Sequence, residues 1–477
     1  MLSQRSQAGA RQALATLLAA IASFCTLWLL CRACAVQPQP AVLAAILAIV
    51  LQRRAPRGID AVAIGAGRIA GIAIAASGIG WLLRHVPAAG VAVFVAGMFF
   101  SVWLRDRGER ARAVGALIAL PLVAMLVVPG PTRVAPGGPL VDLALAVAAG
   151  VVALAYVTAI DALARRLRFT DAGPSAAERF PLPPREPRTG MTPATRMAWQ
   201  LAVALCTAFV VGFIVFPEHW GWVVLTAYIV CGSARGREDA VYKAILRLAG
   251  ALAGTAGAAA LATLWAPTGP AEAVAIFAVL YVGLALRGVN YAFWACSTTL
   301  ILSLLGRSNQ GFALGLFVTR IEAIVVGAIC GIVAAWFVFP IPTEAVVRRR
   351  LADVLLALDG VVANAHLPGD ERAHAHATFH HRMRELDDVD APVRWHWRVF
   401  VRRGDADHPA RWIDLARGVR DHAQTYVSGP NTKRVRQAIG ISRRSIAQHG
   451  KADAPDDRVP IGTALERLRT EIAPRDD

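Results

Sequence analysis

Residues 222–257, WVVLTAYIVCGSARGREDAVYKAILRLAGALAGTAG, run from an apolar segment through a short basic loop into an apolar helix rich in glycine and alanine. Residues 42–78 repeat the plan. There VLAAILAIV leads to a loop holding Arg53, Arg54 and Arg57 and then to GRIAGIAIAASG, so that Arg68-Ile-Ala-Gly71 stands where Arg247-Leu-Ala-Gly250 stands later. A chain that uses one apolar module twice is restricted to few architectures. Duplicated helical halves are frequent among transporters, with the pathway at the seam between them.

The 477 residues are 56% hydrophobic, with a mean hydropathy of +0.48. That exceeds the roughly 45–50% of soluble domains and indicates an integral membrane protein. The net charge of +17 is carried by short loops and the C-terminal region, the distribution that sets membrane topology, so no nucleic-acid partner is expected. Cys25, Cys206, Cys296 and Cys330 lie inside apolar runs, where cysteine acts as a small hydrophobe. Cys31-Arg-Ala-Cys34 has CxxC spacing without a thioredoxin-like surrounding pattern, and no disulfide framework is expected. The apolar run at 12–31 is longer than a signal-peptide core and reads as the first span.

Runs able to cross roughly 30 Å of hydrocarbon fall near 12–31, 39–51, 60–82, 88–104, 113–129 and 139–163, and again near 197–216, 219–232, 244–265, 271–287, 290–306 and 314–340. The expected fold is therefore all-α, with about twelve transmembrane helices in two six-helix repeats. The second span of each half is short, as in helices that line transporter sites. With the N-terminus cytoplasmic, inside segments hold Arg5, Arg11, Arg53, Arg54, Arg57, Arg105, Arg107, Arg110, Arg112, Arg165, Arg166, Arg168, Arg235, Arg237, Lys243, Arg287, Arg348, Arg349 and Arg350, whereas outside segments hold only Arg32, Arg84, Arg133 and Arg307. This asymmetry places both termini inside, and an even number of spans per half gives the halves the same orientation. Trp81, Trp103, Trp220, Trp222 and Trp265 sit near span ends, as an interfacial belt requires.

Four regions follow: a first repeat at 1–165, a proline-rich charged cytoplasmic linker at 166–195, a second repeat at 196–340, and a soluble helical cytoplasmic tail at 341–477 with amphipathic segments near 370–386, 407–426, 431–447 and 460–472. No phosphate-binding GxxxxGK[ST] loop is present and no catalytic motif stands out, so an enzyme, a cofactor and ATP hydrolysis are not expected. His374, His376, His380 and His381 cluster in the tail. His376 and His380 share a helix face at ligand spacing, but no cysteine or carboxylate completes a metal site, and solvated histidines are expected.

Ionisable residues inside spans are costly and point to function. Arg68 and Arg247, at equivalent places in the two halves, are candidates to hold an anionic substrate bidentately; the alternative is snorkelling toward headgroups. Arg320 and Glu322 stand in the outer half of the last span and Asp142 at comparable depth in the sixth, so Glu322 and Asp142 are candidates for proton exchange, against an interhelical ion pair. Two residues apart, Arg320 and Glu322 occupy different helix faces. Tyr291 and Thr298, within NYAFWACSTTL, are candidates to hydrogen-bond substrate, interhelical bonding being the alternative. The glycines of the third and ninth spans allow close helix packing.

The second-half pattern HWGWVVLTAYIV, then RLAGALAGTAGAAALATL, then NYAFWACSTTL and RIEAIVVGAICGIVAAWFVFP, resembles the fusaric acid resistance family, which includes aromatic carboxylic acid exporters. The first half is a degenerate copy, with Leu47 where the second half has Thr226 and Leu43 in place of Trp222. The resemblance implies an inner-membrane exporter of aromatic or other organic acids working with a periplasmic membrane fusion protein. A proton-coupled transporter is the leading expectation, with a passive anion channel and a scaffold acting through its tail as alternatives. The expected partners are membrane lipids, a small organic anion and further copies of the chain.

Overall fold

The computed structural model describes residues 2–34, 39–52, 59–127, 138–167, 190–232, 234–265, 267, 269–310, 314–366, 369–400, 407–423, 426, 431–449 and 459–473, and its regular structure among these is helical throughout. Arg53, Arg54, Arg57, Arg133, Arg168 and most of the expected linker lie outside the described residues. Before residue 340 come α1 (Leu2–Ala33), α2 (Gln39–Leu51), α3 (Ile59–His85), α4 (Pro87–Trp103), α5 (Glu109–Val127), α6 (Pro139–Arg166), α7 (Pro193–Val215), α8 (Trp220–Gly232), α9 (Arg237–Leu264), α10 (Pro270–Leu286), α11 (Tyr291–Gln310) and α12 (Leu314–Phe337). After it come α13 (Thr343–Ala363), α14 (Asp370–Asp387), α15 (Asp390–Phe400), α16 (Pro409–Ala423), α17 (Thr432–Gln448) and α18 (Ile461–Ile472).

A helix stands at each expected span. Among the described residues, seven helices are long and apolar enough to cross a membrane: Ala10–Ala33, Gly65–His85, Pro87–Asp106, Leu143–Arg166, Pro193–Val215, Arg237–Leu264 and Phe317–Phe337. Helices α2, α8, α10 and α11 supply shorter apolar stretches. The described residues fall into two compact units, one holding α1–α8, α9 from Lys243 onward and α10–α12, the other holding Gly190, residues 234–242 and everything described from Pro340 onward.

In the first unit, helices from the two halves of the sequence share cores. Phe94 and Met98 of α4 and Leu122 of α5 are buried with Leu201, Leu205 and Phe209 of α7, Val223 and Val224 of α8, and Ala323 of α12. A second core joins Ala19 and Ala20 of α1, Ala48 of α2 and Val157 of α6 to Leu280 and Leu284 of α10, with Trp294 of α11 packed against it. Shifting every helix by six places converts one set into the other. The same exchange holds at single rings: Phe94 meets Phe209 edge-on at 5.2 Å and Phe24 meets Phe277 edge-on at 5.5 Å. Phe94 and Phe277 are each the eighth residue of a 17-residue helix opened by proline.

Polar groups at the helix ends tie these cores down. Arg105, after α4, donates from Nη1 to the Gly232 carbonyl at the end of α8 (3.3 Å), while the neighbouring Asp106 carboxylate accepts from the Ala194 N–H at the start of α7 (3.1 Å). Buried Gln200 donates from Nε2 to the carbonyls of Phe339 (3.1 Å) and Ala335 (3.4 Å), closing the end of α12. Such bonds satisfy carbonyls and amides that a helix terminus leaves without partners.

In the second unit, α13–α18 enclose a core that includes Leu351, Phe379, Trp412, Ile439 and Leu465. The Trp412 indole N–H donates to Asp407 (2.7 Å), which also accepts from the Gly462 N–H (2.8 Å). Residues 234–242 belong to this unit through a clasp. Arg235 pairs with Asp388 at 2.9 Å, the Arg237 N–H donates to the Ile341 carbonyl at 3.1 Å, and the Glu238 carboxylate caps α13 by accepting from both the N–H and the hydroxyl of Thr343. A Cβ on Gly236 would fall 2.4 Å from the Thr343 hydroxyl, which only glycine avoids. The arginines of this loop therefore have structural partners beside their expected role in topology.

Candidate functional site

Four helices of the first unit meet around two cations. Helices α9 and α11 approach through glycine, since an added Cβ at Gly250 would lie 2.6 Å from the Ala295 side chain and one at Gly254 2.4 Å from the Cys296 carbonyl. Contacts advance together along the two chains, so α9 and α11 run parallel. Helices α8 and α12 do the same at Gly327, whose Cβ would lie 2.3 Å from the Val223 carbonyl, and at Gly331 beside Val230. Close backbone approach of this kind is how small residues join helices in lipid.

Arg247 continues the face of α9 that carries Gly250 and Gly254, because positions three or four apart share a face. Its guanidinium lies beside the Tyr291 phenol at the start of α11, within electrostatic reach of it. Arg320, on the second turn of α12, lies with its Cζ 5.3 Å from the centroid of the Trp222 ring on α8, a cation–π contact. It also lies within electrostatic reach of Arg247. The two arginines are 5% and 6% exposed, and the Arg247 Nε has no hydrogen-bond acceptor among the described residues. No carboxylate among the described residues pairs with either guanidinium. Burying one unpaired charge is costly and burying two of like sign more so, whereas a bound anion satisfies both. The arrangement can hold a carboxylate by charge-assisted hydrogen bonds, with Trp222 and Tyr291 as aromatic walls.

The other sequence candidates are placed differently. Thr298 is half-buried and its hydroxyl donates back to the Ala295 carbonyl at 3.1 Å. Glu322 is exposed, on a different side of α12 from buried Arg320. Asp142 is on α6, and its side chain lies outside the described residues. Arg68 is exposed and lines a groove of about 400 Å³ between α3, α4 and α5, so the structure groups Arg247 with Arg320 rather than with Arg68. Trp222 went unnoticed as a site residue because its position at a span end suits an interfacial belt; the signal was its place at the head of the matched short span.

In the tail, the rings of His376 and His380 are 6.5 Å apart on α14. Among the described residues no three His, Cys, Asp or Glu side chains converge as metal ligands, and the seven cysteines are free thiols.

Residues 195–334 match the family model described as fusaric acid resistance protein-like. That fusaric acid resistance-like segment contains Trp222, Arg247, Tyr291, Thr298, Arg320 and Glu322, while Arg68 and Asp142 lie outside it. The match agrees with the resemblance read from the second-half motifs and, with the apolar helices, indicates a multi-pass membrane protein. No curated protein matches the chain.

Proposed function

We propose that the protein exports aromatic or other organic acids across the bacterial inner membrane, with Arg247 and Arg320 holding the carboxylate and Trp222 and Tyr291 flanking the apolar body. The observation that carries this reading is the pair of buried guanidiniums with no carboxylate partner among the described residues. Twelve spans in two like-oriented repeats, with both termini cytoplasmic, form the frame. Its support is the exchange of packing partners under a six-helix shift, the parallel pairs α9–α11 and α8–α12, and the arginine excess in alternate loops.

The driving force in this reading is the proton gradient, with Glu322 and Asp142 as exchanging carboxylates and Thr298 as a further polar contact to substrate. A periplasmic membrane fusion protein would carry the released acid onward. Purified protein in proteoliposomes tests the proposal: a panel of aromatic acids should leave loaded vesicles faster under an imposed pH gradient, and Arg247→Ala or Arg320→Ala should abolish the flux. No transport under any gradient sinks it. Flux that ignores a protonophore assigns the same site to a passive channel instead.

A further inference from the structure

The repeated module is closed in one copy and open in the other. Aligning the two arginine motifs sets Gly71, Ala75 and Gly78 of α3 against Gly250, Gly254 and Gly257 of α9. On α9 an added Cβ would strike α11 at each position, at 2.6, 2.4 and 3.1 Å, whereas on α3 a Cβ at Gly71 or Gly78 would meet nothing within 4 Å. Where α11 seals α9, the facing helix α5 stands off and leaves the groove, walled by Gly71, Ile72 and Ala75 on one side and by Val114, Leu117 and Ile118 on the other. Of the seven long apolar helices, Gly65–His85 is the least enclosed, with 11% of it buried against 33% or more in the others, so the groove opens sideways to whatever solvates the spans.

Its chemistry differs from that of the buried arginine pair. Among the described residues Arg68 is the one charged member of the lining and stands at the groove's N-terminal end along α3; from there the walls are apolar as far as Ile79, eleven residues on, or about 16 Å at 1.5 Å per helical residue. One cation at the end of an apolar trough open to hydrocarbon fits an amphiphile with one anionic head and a long apolar body. We propose that this groove is a lipid site: an anionic membrane phospholipid seats its phosphate on Arg68 and lays one acyl chain along α3 and α5.

The probe is phosphatidylglycerol carrying a diazirine on one acyl chain, photolysed in proteoliposomes of the full-length protein, with a phosphatidylcholine analogue as the neutral-headgroup control. Labelling of α3 and α5 peptides by the anionic probe should exceed that by the control. Arg68→Gln should reduce the anionic labelling roughly fivefold, the factor that about 1 kcal/mol per cation gives. Arg68→Lys should retain it, separating headgroup recognition from misfolding, and Ala75→Trp, which fills the trough, should remove labelling by both probes. Equal labelling by the two lipids in the wild-type protein, or labelling indifferent to Arg68→Gln and Ala75→Trp, overturns the proposal. So does a spontaneous Gly71→Cys disulfide between two chains in the membrane, because then a second copy covers this face. Because the readout is labelling, loss of transport at Arg247 or Arg320 neither supports nor damages it.

Discussion

Arg247 and Arg320 are 73 positions apart in sequence, and neither alone stands out among the many arginines of this chain. What distinguishes them is burial together. Converting either to glutamine keeps a polar group of similar reach but removes half of the anion's countercharge; binding of a carboxylate substrate should weaken by about 1.5–3 kcal/mol, or 10- to 150-fold, measured by titration calorimetry in detergent. Lysine at 320 should recover only part, since it lacks the planar fork and stacks poorly on Trp222. In the tail, His376 and His380 are held below the ordinary imidazole value, first by burial and then by cations, Arg372 beside His376 and Arg384 and Arg420 beside His380. The unfolded chain therefore binds more protons than the folded one below the unperturbed value of 6.5, and stability falls as pH drops through and below it. Urea midpoints followed by tryptophan fluorescence should decrease from pH 7.5 to 5.5, and His376→Gln with His380→Gln should flatten that decrease. A midpoint that rises on acidification contradicts the assignment.

Helix positions were legible because long apolar runs have few alternatives in lipid. Which side of a helix faces inward was not. An apolar helix such as α12 has no polar face to betray its orientation, so the spacing of Arg320 and Glu322 said only that they diverge, and the structure alone puts Arg320 inside and Glu322 out. The glycine runs read alike in α3 and α9, yet a Cβ at Gly67, Gly71 or Gly78 of α3 would meet nothing within 4 Å while Gly250, Gly254 and Gly257 of α9 press on α11, because what a glycine touches depends on the partner helix. At this scale Gly254→Val should cost at least about 1–3 kcal/mol, since the Cys296 carbonyl cannot move without shifting α11, whereas Gly71→Val should be nearly neutral to the melting temperature. Gln200→Leu should destabilise by about 1–3 kcal/mol, by leaving the buried Ala335 carbonyl without this donor and removing the bond to the Phe339 carbonyl. The clasp at 234–242 escaped sequence reading for a related reason: Glu238 lies 105 residues from the helix start it caps, and nothing local to either segment announces the other.

Across the whole molecule, each half supplies helices that complete the other's core, α4 and α5 to one and α10 and α11 to the other. Neither half buries its apolar faces alone. Residues 1–190 or 191–477 expressed singly should be degraded, whereas co-expression of the two should recover a complex that co-purifies; stable accumulation of either half alone would contradict the shared cores. The buried arginine pair has a consequence for finding the cargo. Two like charges buried with no counterion among the described residues make the protein least stable when empty, so any true cargo should raise its melting temperature by mass action, by about 2.7 kcal/mol of added stability at a hundredfold excess over Kd. Heating the solubilised protein with a library of small acids then ranks candidates before any vesicle is loaded, and the same ranking should vanish in Arg320→Gln.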